Sequence, residues 1–142
     1  MDYTENRREI KRRAQAKWRQ AHPERHRENV RTLRLTNWAE TILTSCKGSA
    51  KRRGQNCQLT LEDVQEMFAT MTCSVTGVPL LLEYTGEGSK NPWYPSVDRL
   101  DCSKGYTRDN VRAVCWAFNQ ARGDWPDSVV EQWVKALASR LD

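Results

Sequence analysis

Apolar residues recur at helical spacing along several stretches of the chain, and the stretches differ in how wide a stripe they draw. From Glu5 to about Ala21 only Ile10, Ala14 and Trp18 keep the interval, a stripe too narrow to pack well by itself. After Pro23, which suits the first turn of a helix, Val30, Leu33, Trp38 and Ile42 follow at roughly helical spacing, with Gly48 as the expected stop. This second helix has the surface to dock, so the N-terminal region is expected to be anchored at its C-terminal end. Thr60 precedes a third helix: its hydroxyl can cap, Glu62 and Asp63 fall where the helix dipole favours acids, and Leu61, Val64, Phe68 and Met71 share a face. A last helix begins near Pro126 and aligns Val130, Trp133, Val134, Leu137 and Leu141.

Between these stretches the pattern changes. Residues 47–57 (KGSAKRRGQNC) have the glycines and charges of a flexible linker, which puts the predicted domain boundary at Arg53. From Thr76 to Pro95, three glycines and three prolines predict turns around Leu80, Leu81 and Leu82. Ser96–Leu100 and Asn110–Val114 then read as two short strands joined by a loop that turns at Gly105, a hairpin. Cys115 to Arg122 has helical composition and stops at Gly123. The fold class expected is α+β.

Charge divides along the same line. Residues 1–53 hold 15 basic and 6 acidic side chains, net +9, whereas 54–142 hold 8 and 12, net −4. A cationic arm on a slightly acidic body favours a polyanionic partner, DNA first, contacted mainly through its phosphates. Arg8, Arg12, Arg13, Lys17, Arg19, Arg52 and Arg53 are the arm's candidate contacts, with Arg108 and Arg112 from the body. The chain contains neither an apolar run of membrane-span length nor an apolar signal segment, so a cytoplasmic location and no membrane partner are expected. Cys46, Cys57, Cys73, Cys102 and Cys115 form no CxxC pair and read as reduced thiols.

The strand, loop, strand and helix of 96–122 place Asp98 on the first strand, Asn110 at the start of the second and Asn119 one turn into the helix. A carboxylate and an amide oxygen converging there are hard ligands, suited to an oxygen-preferring divalent ion such as magnesium or manganese.

These residues sit in a longer run, Cys73-Ser-Val-Thr-Gly-Val-Pro79, Pro95-Ser-Val-Asp-Arg-Leu-Asp101, Gly105-Tyr-Thr107 and Asn110-Val-Arg-Ala-Val-Cys115 ending in Asn119. It resembles the HNH or ββα-metal endonucleases, in particular small phage-type members with an Asp-Arg dipeptide in place of the usual Asp-His or His-His. The resemblance spans about residues 58–123. It implies a ββα finger at about 96–122; with the helical N-terminal arm read over 1–53 from its charge and helical spacing, residues 54–142 are expected as a nuclease core closed by a C-terminal packing helix. By the same resemblance Asp98 and Asn119 are the metal ligands and Asn110 holds the hairpin loop. The implied reaction is metal-dependent phosphodiester hydrolysis leaving 5′-phosphate and 3′-hydroxyl ends.

Where the family normally has its histidine base, this chain has Arg99. Arginine cannot accept a proton near neutral pH. It is expected to clamp a phosphate or stabilise charge beside the metal, the plainer alternative being an ion pair to Asp101 or Glu83. The base is then left open among His22, His26, Tyr84, Tyr94, Tyr106 and metal-bound water. The family's zinc knuckles keep one cysteine each, Cys73 and Cys115, so no structural zinc is expected. Trp38, Trp116 and Trp133 read as core, and Glu83, Glu87, Asp124 and Asp127 as surface charge. The expected function is a DNA endonuclease acting as monomer or homodimer. The alternatives are a DNA-binding or regulatory protein that kept the finger without cleavage, and a module whose arm contacts an acidic protein.

Overall fold

A computed structural model describes residues 3–88 and 90–141, the side chains of residues 3–5 excepted. Two compact units divide between Asn37 and Trp38, ahead of the boundary expected at Arg53. The reason is local. The helix expected to run from Pro23 to Gly48 breaks at Asn37, whose backbone (φ −118, ψ 43) leaves helical geometry while its amide closes on the Leu33 carbonyl. From Trp38 onward the chain carries apolar residues densely enough to join the core.

The first unit has two helices, α1 (Tyr3–Ala21) and α2 (Pro23–Thr36). Pro23 occupies the first turn of α2, where its missing N–H costs nothing. From Asn6 to Ala21 every residue of α1 is exposed, and α2 has no buried residue.

The second unit opens with α3 (Trp38–Arg52), which buries Ala39, Ile42, Cys46 and Ala50 along one side. Gly48 does not end it, and the segment expected as linker is helical to Arg52 before turning at Gly54 in left-handed geometry (φ 65). In α4 (Leu61–Met67), Thr60 Oγ1 accepts from the Asp63 amide at 3.2 Å and Asp63 Oδ2 accepts from the Thr60 amide at 2.8 Å, a reciprocal cap. Phe68 beyond it is buried, meeting Trp38 edge-on with ring centroids 6.1 Å apart.

The strands β1 (Pro95–Arg99) and β2 (Val111–Cys115) pair antiparallel, each within one residue of its expected limits. Val97 faces Ala113 and Asp98 faces Arg112 across the pair. Cys115 leads directly into α5 (Trp116–Arg122), which ends at Gly123 with φ 54. Burial of Val97, Asp98 and Arg99 in succession shows that β1 is covered on both faces. Val97 belongs to the core with Val64, Phe68, Leu80 and Val114, and α5 meets β1 through Asn119 on Ser96.

The last helix, α6 (Asp127–Leu141), forms where expected, but it has no buried residue. Trp133, read as core from its spacing, is 47% exposed, and Leu137 61%. Among the described residues no helix is long and apolar enough to cross a membrane. All five cysteines are free.

Candidate functional site

Cross-strand register puts Arg112 directly opposite Asp98, and the guanidinium Nε donates to Asp98 Oδ2 at 2.8 Å. Arg122, in the last turn of α5, donates to the other oxygen, Oδ1, at 2.7 Å, and to the carbonyls of Arg99 and Leu100 at 2.8 and 3.0 Å. Asp127 closes the group from the first turn of α6. Its carboxylate takes both terminal nitrogens of Arg112 at 2.7 Å and Arg122 Nε at 3.1 Å.

Two carboxylates and two guanidiniums therefore neutralise one another at the edge of the hairpin. Asp98 and Arg122 are nearly sealed, at 2% and 3% exposure, and Arg112 remains at 16%. Hydrogen bonds from Arg112 hold Asp127 below the usual carboxylate range, against a small penalty from burial, with the charges of Arg112 and Arg122 assisting. Arg112 is raised in turn, first by its bonds to Asp127 and then, against burial, by Asp98.

Asn119 lies beside this group. Its side-chain N–H2 donates to Ser96 Oγ at 2.8 Å and to the Val97 carbonyl at 3.1 Å. That locks the amide onto β1 next to Asp98 and leaves its oxygen as the acceptor the site can offer.

The fold thus brings Asp98 and Asn119 to one edge, but a divalent cation does not fit the arrangement. Each Asp98 oxygen already faces a guanidinium, so a cation would meet two positive charges before it met the carboxylate. Among the described residues no group of three or more His, Cys, Asp or Glu side chains converges as a metal site.

Arg99 is held by groups of the fold. It is buried, and one terminal nitrogen donates to Gln55 Oε1 and to the carbonyls of Cys102 and Lys104 at 2.9 and 3.0 Å. Its guanidinium lies over the Tyr106 ring, 5.3 Å from the centroid. A long side chain alternating away from Asp98 along β1 points to the opposite side of the strand, and there it ties the 102–106 loop to the turn after α3. Asn110, also buried, accepts from the Asp101 amide at 3.0 Å and donates to the carbonyls of Asp101 and Gly105 at 3.0 and 2.9 Å. The two residues hold opposite flanks of one loop.

The other candidates are dispersed. Arg108 is paired with Asp63 at 3.1 Å and Glu66 at 2.5 Å, and Arg112 belongs to the ion network. Arg52 donates to Ser49 Oγ at 2.9 Å, while Arg13 pairs with Glu9 along α1. Arg8, Arg12, Lys17, Arg19 and Arg53 are exposed. His22 stacks on Trp18 within the first unit, the Tyr84 hydroxyl donates to the Glu87 carbonyl at 3.1 Å, and Tyr106 is buried under Arg99.

Cys73 and Cys115 lie against one another in the core. Burial pushes the Cys115 thiol up; Cys73, despite a burial penalty, is drawn down by the hydroxyl and amide of Thr76.

Arg122 and Asp127 are the site members that the sequence reading missed. Arg122 lies one turn after Asn119, a spacing that puts both on one face of α5. Asp127 carries no such signal, since its role depends on where α6 starts in space.

A two-stranded antiparallel hairpin runs straight into a short helix, an α+β arrangement that matches the ββα-metal fold. Among solved structures the chain is similar to the rare-cutting HNH restriction endonuclease PacI, described for its perturbation of DNA. The TM-score is 0.54 at 18% identity, over 72% of this chain and 78% of that one. No family model and no curated protein matches the chain.

Proposed function

We propose that the protein is an HNH-type DNA endonuclease, hydrolysing phosphodiester bonds to leave 5′-phosphate and 3′-hydroxyl ends. The observation that carries the reading is the juxtaposition of Asp98 and Asn119 at one edge of the hairpin, with Asn119 fixed to the backbone of the residue preceding Asp98. A framework role does not require those two oxygen-bearing side chains side by side. The arm supplies affinity: its first 37 residues hold 11 basic and 5 acidic side chains, net +6.

Arg112 is the group of the site that a DNA phosphate reaches, being more exposed than Arg122. A phosphate competes with Asp98 and Asp127 for its fork of donors, and exchange of partners frees Asp98 Oδ2. Arg122 stays with Oδ1 and keeps the carboxylate oriented. In this reading the closed group is the resting state and substrate opens it.

A second reading, binding without cleavage, is favoured by one specific feature, the enclosure of both Asp98 oxygens by arginines. Supercoiled plasmid incubated with the protein and magnesium or manganese separates the two. Nicking by the wild type, lost in Asn119→Ala, is the expected result; retention of plasmid in a gel shift with no nicking under either metal establishes the binding protein instead.

A further inference from the structure

We propose that Lys90, held over the ring of Trp116, takes a DNA phosphate a few nucleotides along the strand from the one that reaches Arg112. The inference rests on DNA as the substrate and names a contact that the arm does not supply. Between Gly54 and Gly123 the chain has six cationic side chains, Lys90, Arg99, Lys104, Arg108, Arg112 and Arg122. Lys104, Arg108, Arg112 and Arg122 are paired with carboxylates, and Arg99 is held by Gln55 and two carbonyls. Lys90 is exposed and, among the described residues, is held by no acid and no carbonyl. Its Nζ instead lies 5.3 Å from the centroid of the half-buried Trp116 ring. A ring attracts an ammonium without neutralising it, so this seat restrains the side chain and keeps its charge and N–H donors for an outside anion.

The place of the pair follows from how β1 and α5 run. The Trp116 amide donates to the Tyr94 carbonyl at 2.9 Å, Asn119 donates to Ser96 and Val97, and Arg122 donates to Asp98 and to the carbonyls of Arg99 and Leu100. Strand and helix therefore advance side by side in the same sense, with Trp116 at the end away from Arg122. Trp116 and Asn119 are three residues apart on α5, a spacing that puts them on one face. From Trp116 to Arg122 the helix covers about 9 Å at ~1.5 Å per residue. One DNA strand advances ~3.4 Å per nucleotide, so a strand laid along this seam with one phosphate at Arg112 brings another abreast of Lys90 about three nucleotides away. The ammonium acts there as a point charge that fixes the strand's register on the site and adds affinity without base choice.

Salt titration of DNA binding tests it, using the full chain, a fluorescein-labelled duplex of mixed sequence, and EDTA so that no strand is cut. Lys90→Gln should reduce the slope of log affinity against log salt by about 0.9, the loss of one phosphate contact. Lys104→Gln removes the same charge from a lysine already paired with Asp101 at 3.4 Å, and should change the slope less. Trp116→Leu should weaken binding about two- to fivefold, the strength of one exposed cation–π contact, and Trp116→Phe should recover it. In the Lys90→Gln background neither change at Trp116 should matter, a non-additivity that a ring supporting only the fold does not produce. A wild type that binds while Lys90→Gln leaves its slope unchanged, or an equal effect of Lys104→Gln, overturns the proposal and leaves the endonuclease reading standing. Trp116→Leu weakening Lys90→Gln as much as it weakens the wild type overturns the role of the ring. A wild type that does not bind the duplex overturns both readings.

Discussion

Arginine plays opposite parts in the two units of this protein. In the first, Arg8, Arg12 and Arg19 lie exposed on a helix with no core of its own; in the second, Arg99 and Arg122 are buried and Arg112 nearly so, each surrounded by acceptors. The units differ in balance as well, net +6 for residues 1–37 against 12 basic and 13 acidic side chains, net −1, for the rest. A guanidinium keeps its charge at any ordinary pH, so inside a protein it must be given partners. Exposed, it keeps that charge for an outside anion. Burial and partner, not residue type, decide whether an arginine belongs to the fold or to the ligand.

The largest expected effect tests the fold side of that contrast. Asp98→Ala removes the buried acid that Arg112 and Arg122 share and leaves the two sharing only the half-exposed Asp127. Breaking a buried pair in this way costs about 3–5 kcal/mol, to be read from urea unfolding followed by circular dichroism. A loss below about 1 kcal/mol, the level of a surface pair, would mean that the group is wetter and more open than its geometry.

Next comes Arg99→His, the change that would restore a family-like base. Removing the guanidinium leaves the carbonyls of Cys102 and Lys104 without their donor, at about 1–3 kcal/mol. Because Arg99 points away from Asp98, the variant is expected to be less stable and no faster in plasmid nicking. A gain in nicking would place position 99 in the reaction and erase the distinction between fold arginines and ligand arginines.

The same contrast explains what the sequence could and could not reveal. Local signals gave the hairpin to within one residue, the Thr60 cap and the stop at Gly123, because each is settled by a few adjacent residues. Asp98 and Asn119 were also legible, since a fixed strand-to-helix order carries them to one edge. Arg99 was not: its partners are Gln55 at the end of a turn and carbonyls of a loop, and a carbonyl leaves no trace in residue identity. Asp127 looked like any helix-starting acid until α6 was placed. The charge step at Arg53 marks where the basic excess ends, whereas the second compact unit begins at Trp38.

On the ligand side, replacing Arg8, Arg12 and Arg19 together with glutamine should leave stability within about 0.5 kcal/mol while weakening DNA binding. If all three contact phosphate, the slope of log affinity against log salt falls by about 0.9 for each. Arg108→Gln is the informative companion, because that side chain is already occupied by Asp63 and Glu66; its effect on the slope should be smaller than that of any single arm arginine. Equal effects would show that surface ion pairs do not withhold an arginine from DNA.

The smallest effect belongs to Asp127, where the two kinds of site meet. Its carboxyl is held below the ordinary range, chiefly by hydrogen bonds from Arg112. A carboxylate whose pKa is lowered by folding stabilises the native state above its unfolded value, near 4, and loses that contribution as pH falls through the folded value. The side chain is 46% exposed, so screening keeps the term below about 1 kcal/mol. Asp127→Asn should therefore lie slightly below the wild type in urea midpoint at pH 7 and converge with it in acid, and added salt should narrow the gap at pH 7. A gap that persists in acid would instead assign Asp127 a packing role at the start of α6. The same variant loosens one of the two acids that compete for Arg112, so if phosphate exchange at Arg112 opens the site, nicking should rise while stability falls. A protein that nicks less well would show that Asp127 positions Arg112 for the substrate rather than withholding it.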